Sequence, residues 1–198
     1  MNAKNRIYCD YNATSPMRPE AHEAVIRALE LPSNASSIHA EGRKAKSMIE
    51  TARKQVALLV GSETENVVFV SGATEAINMM CRPRVEGGSF GVLASEHAAV
   101  LQGHGFDKDK VREIAVDSHG RALLQDFNAS DALELVAVQT ANSETGVLQD
   151  VNLNLIQNLN LESPILLFRD AVQSAGKIHL SLDDMDADII CISSHKIG

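Results

Sequence analysis

No stretch of the 198 residues approaches the roughly 18 consecutive apolar residues that a membrane span requires. The start, Met1-Asn2-Ala3-Lys4-Asn5-Arg6, also lacks the apolar core of a signal peptide. Basic residues are outnumbered, 18 against 26 acidic, giving a net charge of −8, and no Lys/Arg-rich run offsets the excess. A nucleic-acid surface is therefore not expected. Cysteine is scarce. Cys9, Cys81 and Cys191 are odd in number, far apart and without metal or redox spacing, so neither a metal site nor a disulfide framework is expected. Internal repeats, low-complexity tracts and interdomain linkers are also lacking. Together these absences point to a cytoplasmic protein with no membrane and no nucleic-acid partner.

Hydrophobic residues make up 44 % of the chain, enough for one sizeable core. Residues 7–11 look extended, and Asn12-Ala13-Thr14-Ser15-Pro16 turns. Apolar spacing predicts a helix over 19–31, closed by Pro32, and a longer one over 41–60, with Ala45, Met48, Ile49, Ala52, Val56 and Leu59 as its buried stripe and Gly61 as its stop. From residue 67 the pattern becomes strand then helix. Strands are predicted at 67–70, 90–94, 111–116, 135–139, from 165 to 168 and at 187–192, with helices over 73–81, after 96 and over 151–159. Such alternation predicts an α/β fold, a three-layer, mostly parallel sheet with helices on both faces.

Two segments carry most of the chemistry. Asp170-Ala171-Val172-Gln173 and Ser193-Ser194-His195-Lys196 each follow a buried apolar run, at the strand ends where open α/β sheets bind ligands. A lysine beside one strand end and an aspartate at the end of a neighbour is the pairing a pyridoxal phosphate (PLP) enzyme needs. The lysine forms the Schiff base, and the carboxylate keeps the pyridine nitrogen protonated so that the ring is an electron sink. Taken singly, Lys196 reads as a solvated lysine. Gln173 could reach the phenolic oxygen of the same ring.

Ser71-Gly72-Ala73-Thr74-Glu75 sits where a strand turns into a helix. It reads equally as a phosphate cradle of free N–H groups with the Thr74 hydroxyl, and as an ordinary capped turn. Gly87-Gly88-Ser89 precedes a strand, whereas a dinucleotide loop must follow one. His97, after the second strand, could stack on a flat ring and move protons, or be structural. Asn142 closes the fourth strand, as a donor to ring or substrate or as a turn former.

In this order, Asp10-Tyr11-Asn12-Ala13-Thr14-Ser15-Pro16, Asn34-Ala35-Ser36-Ser37-Ile38-His39, the Ser71 turn, Glu96-His97, Asn142-Ser143-Glu144-Thr145-Gly146, Asp170 to Gln173 and Ser193 to Lys196 resemble the class V aminotransferase superfamily, and within it the cysteine desulfurases. The likeness runs from about residue 7 to 198. It implies a fold type I PLP enzyme, with residues 1–16 as an N-terminal extended segment and 17–198 as part of the PLP-binding large domain. Lys196 would be the Schiff-base lysine, Asp170 the partner of the pyridine nitrogen, Gln173 that of the ring oxygen, and His97 the stacking proton relay. Asn142 would lie beside the cofactor. Gly72, Ala73, Thr74, Ser193 and His195 would hold the phosphate, and Asn34, Ser36, Ser37 and His39 would line the substrate mouth.

The implied activity converts L-cysteine to L-alanine with sulfur passed to an enzyme cysteine. Expected partners are cysteine, a second copy in a homodimer, and a sulfur-acceptor protein in iron–sulfur cluster assembly. Family members are roughly twice as long. The catalytic cysteine loop and the arginine for the substrate carboxylate are expected in the remainder, and the chain alone is expected to be inactive. Rival readings are a small-amino-acid transaminase, a selenocysteine lyase and a silent cofactor-binding fragment. Arg169 stands where the family tends to be apolar. It reads either as a surface residue or as a perturber of Asp170.

Overall fold

The computed structural model describes residues 7–31, 34–128, 132–151, 156 and 164–198. They fall into two compact units, the described residues up to 67 with 194–198, and the described residues between 68 and 193. In the first, α1 (Pro19–Leu29) opens with proline at its first turn and Glu20 beside it, and an Arg27–Glu23 pair one turn apart faces solvent. α2 (Ala40–Val60) is capped by His39, whose Nδ1 accepts the Gly42 N–H. It stops at Gly61, which takes the left-handed φ of 63° that glycine tolerates. The stripe expected on α2 is only partly inside. Ala57 and Val60 are buried, whereas Met48, Ile49 and Leu59 are 37–41 % exposed. The helical period is right, but the buried face is rotated toward Ala57 and Val60.

The second unit is built on a sheet of five parallel strands in the order β2-β1-β3-β4-β5. They are β1 (Ser89–Leu93), β2 (Val111–Ile114), β3 (Leu133–Ala137), β4 (Leu166–Asp170) and β5 (Ile189–Cys191). Side chains alternate between two apolar layers. Phe90, Val92, Leu135, Ala137, Phe168 and Cys191 meet Ile77 and Cys81 of α3 (Ala73–Met80) and its cap, and Val100 of α4 (Ala98–Gly103). Leu93, Ile114, Val136, Val138 and Leu167 pack on the other face with Val151 and Ile156. A short helical turn, α5 (Leu182–Met185), leads into β5.

The α/β expectation holds, with three adjustments. Residues 67–70 are not among the strands of the described sheet. Val68 and Phe69 are 71 % and 48 % exposed there, and a β-branched run makes a strand only where a neighbour takes its hydrogen bonds. β4 runs on through Arg169 to Asp170, because Arg169 and Asp170 still pair with Ile190 and Cys191. The helix expected over 151–159 lies outside the described residues except at Val151 and Ile156. Phe168 is fully enclosed at the centre of the first layer. Phe168→Ala should cost about 3–5 kcal/mol, cavity included, read as a lower midpoint in urea at unchanged slope; a loss within error would show that this layer is not the core.

Candidate active site

Parallel strands bring all their C-terminal ends to one edge. The chain steps outward from β1 to β2 and then returns to the other side of β1 with β3. Ligands of open α/β sheets bind outside the strand ends at such a reversal. Residues 95–97 follow β1 there, and residues 138–142 follow β3. The two segments are laced together. Gln139 Nε2 donates to the Ser95 carbonyl (2.8 Å) and hydroxyl (2.9 Å), and Asn142 Nδ2 donates to the same carbonyl (3.1 Å). Asn142 Oδ1 accepts the N–H groups of Glu144 and Thr145 and the Thr145 hydroxyl at 2.9–3.1 Å. Its oxygen thus serves its own loop, and its amino group is the end that can address a ligand.

Asp170 ends β4 with only 7 % of its surface exposed. Its carbonyl accepts the Thr140 N–H (2.8 Å) and hydroxyl (3.1 Å), and that hydroxyl also bonds the buried Ser174 hydroxyl. Its Oδ1 accepts the Val172 N–H at 2.9 Å. Asp170 is in register with Cys191, whose Sγ lies 4.0 Å from the Ala73 carbonyl. The first turn of α3 therefore stands at the same strand ends. Gly72 gives that helix no side-chain cap; Glu75 instead reaches back to the Ser71 N–H at 2.6 Å, which holds its carboxyl below the usual range. A Cβ on Gly72 would meet nothing within 4 Å, so the approach to the Ala73 and Thr74 amides is open. Gln173 Oε1 accepts from Lys177 Nζ at 2.7 Å, which makes its amino group the donating end, and Ser193 is buried at 8 % exposure. His97 is exposed and caps α4, its Nδ1 accepting the Ala99 N–H at 3.1 Å. In the neutral ring the proton then sits on Nε2.

The remaining expected residues belong to the first unit. Lys196 Nζ donates to the carbonyls of Asn12 (2.5 Å) and Ala13 (2.9 Å). His195 meets the Thr14 hydroxyl through Nδ1 at 3.3 Å, and its carbonyl accepts the Ser15 N–H at 2.8 Å. Asn34 Oδ1 accepts the Ser36 N–H, its carbonyl accepts the Ser37 N–H, and His39 caps α2, so residues 34–39 form one tight loop. That loop lies on Gly42, where a Cβ would come within 2.3 Å of the Ser37 carbonyl.

The sequence assigns no site role to two buried charges, Glu96 and Arg169. Glu96, 5 % exposed, is pushed up to about 8 by burial and then by the charge of Asp170, against the pull of the His97 and Gln139 N–H groups and of Arg169. Arg169 is 3 % exposed and so is not a surface residue; its Nη2 donates to the Gln149 carbonyl at 2.9 Å. Burial lowers it to about 10, with Glu96 and Asp150 opposing. The alternation that buries Leu167 signals the inward face of Arg169 two residues on. Glu96 carries no such signal.

A model of the aminotransferase class-V family matches residues 7–198. "Cysteine desulfurase IscS" of Anaeromyxobacter sp. (strain K) is 33 % identical over 203 residues, which are 96 % of this chain and 50 % of that protein. Among solved structures, the NifS-like protein of Rickettsia africae ESF-5 superposes with a TM-score of 0.81 at 30 % identity, covering 97 % of this chain and 55 % of that one. A structure described as "SspA in complex with cysteine" gives 0.79 at 28 % identity, over 96 % and 57 %. The chain spans about half the length of the curated relatives it matches.

Cys9 is exposed, whereas Cys81 and Cys191 are buried in the first apolar layer. Burial, then Glu96 and Asp170, pushes the Cys81 thiol up to about 12, and burial with Asp170 pushes Cys191 further. Neither supplies thiolate at neutral pH. Iodoacetamide at pH 8 should label Cys9 in the folded chain and all three thiols in urea, as read by mass spectrometry. Rapid folded-state labelling of Cys191 would show that the β5 end is open.

Proposed function

The chain belongs to the aminotransferase class-V family, and on that premise we propose that it supplies the cofactor-holding part of a PLP-dependent cysteine desulfurase. The observation that carries this reading is Asp170, a buried carboxyl at a strand end beside an open helix turn, in a chain whose relatives bear the desulfurase name. In the whole enzyme L-cysteine would give L-alanine, with the sulfur passed to an enzyme thiol and on to an acceptor protein, in the cytoplasm, by a homodimer.

The residues present fit PLP. A protonated pyridine nitrogen would be a cationic partner for the buried carboxyl of Asp170. The Gly72 turn leaves room for a phosphate at the Ala73 and Thr74 amides, and the family reading would add the Thr74 and Ser193 hydroxyls and the His195 ring as donors. Lys196 would hold the cofactor by its aldehyde carbon. When bound, PLP supplies an electron sink for the pair released at the amino acid's Cα.

Each of this chain's side chains then has one task. Asp170 keeps the ring-nitrogen proton in place. Gln173, with Oε1 engaged by Lys177, donates from Nε2 to the ring oxygen. His97 would stack on the ring and would deliver a proton from Nε2, since Nδ1 is engaged as the α4 cap. Asn142 offers its amino group to the ring or the substrate carboxylate. Residues 34–39 would line the entrance.

Borohydride treatment with PLP, followed by peptide mass spectrometry, should place the covalent adduct on Lys196 and find none in Lys196→Ala. An adduct retained on another lysine would overturn the assignment. In the whole enzyme, Asp170→Ala should lower turnover by orders of magnitude while PLP still binds; near-normal turnover would mean that another group holds the ring nitrogen.

A further inference from the structure

Thr140 and Ser174 are 5 % and 1 % exposed, and neither has a task in the scheme above. The sheet does not require the Thr140 hydroxyl, because the Thr140 N–H already donates to the Asp170 carbonyl at 2.8 Å. The hydroxyl reaches the same carbonyl at 3.1 Å and is hydrogen-bonded to the Ser174 hydroxyl. Ser174 Oγ in turn lies 3.2 Å from the Ala171 carbonyl. Two hydroxyls have two protons for these three contacts. When Ser174 donates to Thr140, Thr140 donates to the Asp170 carbonyl. When Thr140 donates to Ser174, Ser174 donates to the Ala171 carbonyl. Either way the pair joins the end of β3 to the turn that follows β4.

That turn aims the Asp170 carboxyl. The Ala171 carbonyl also accepts the N–H groups of Ser174 (3.1 Å) and Ala175 (2.9 Å), which closes the turn around Gln173. The Ala171 carbonyl and the Val172 N–H lie in one rigid peptide plane. That N–H donates to Asp170 Oδ1 at 2.9 Å. The plane before it carries the Asp170 carbonyl, held by Thr140, and the Ala171 N–H, held by the Cys191 carbonyl at 2.9 Å. Two successive peptide planes therefore set the direction of the carboxyl, and each has one of the paired hydroxyls on its carbonyl oxygen.

We propose that Thr140 and Ser174 are positioning residues for Asp170: their joined hydroxyls fix the two peptide planes that orient its carboxyl toward the ring nitrogen. The inference rests on the reading of Asp170 as the partner of that nitrogen. Both residues act through Asp170, and Gln173 is placed by the same turn.

Amide hydrogen exchange of the full chain, read by NMR, follows the Val172 N–H, with the Ala99 amide, held by His97 Nδ1, as a remote control. Thr140→Val and Ser174→Ala should each speed Val172 exchange about fivefold, the size of one lost hydrogen bond. The Ala99 rate should not move, and Thr140→Ser should restore the parent Val172 rate. In the whole enzyme loaded with ring-15N PLP, Thr140→Val should shift the pyridine nitrogen signal toward its unprotonated position, and Thr140→Ser should not. A lower urea midpoint with the Val172 rate unchanged means that the hydroxyls brace the sheet and not the carboxyl, and overturns the proposal. A rise shared equally by Ala99, or a pyridine signal unmoved in Thr140→Val, also overturns it. Should Thr140→Val not fold, Ser174→Ala decides alone by the same readouts. The exchange readout needs no cofactor, so its failure is distinct from failure of the family reading, which is read by PLP uptake.

Discussion

A parallel sheet enclosed on both faces has few places to put polar side chains, and this constraint governs the second unit. Its inner strands read as mostly apolar runs because their apolar side chains alternate between the two layers. Polar atoms gather where the strands stop. There the main chain still needs partners, and the side chains of Thr140, Gln139 and Asn142 supply them to the Asp170 and Ser95 carbonyls. The bonds that finish the sheet and the bonds that shape the site are the same bonds.

The buried negative charge of Asp170 reaches further than its hydrogen bonds. Burial is the first cause that raises Glu96, Cys81 and Cys191, and the charge of Asp170 adds to it at all three. A cofactor that brings its own positive charge is suited to such a field, and a nucleophilic thiol is not.

Much of this was legible in the residues. Turns, helix ends and the helix-strand alternation are local chemistry: His39 caps α2, Gly61 ends it, and β1, β3 and β4 fall within a few residues of their expected places. What sequence alone could not give depends on neighbours. Residues 67–70 have every strand preference yet are not among the strands of the described sheet, and Met48 and Ile49 keep helical period yet stay half outside. For Arg169 the sequence left a surface residue and a perturber of Asp170 both open; its burial follows from the extension of β4 to Asp170, which keeps the alternation that buries Leu167. The candidate site divides the same way: the polar strand-end motifs are visible as strings, whereas the commitment of Asn142 Oδ1 to its own loop, or of His97 Nδ1 to a helix cap, is visible only as geometry.

The amine of Lys196 is not idle: it clasps the carbonyls of Asn12 and Ala13. A ligand that takes this nitrogen competes with the clasp, and by thermodynamic reciprocity an ordered N-terminal turn opposes modification of the lysine as strongly as modification loosens the turn. The turn that carries Asn12 and Ala13 is therefore an intramolecular competitor for any ligand of the Lys196 amine, and its hold is a component of whatever affinity that amine displays.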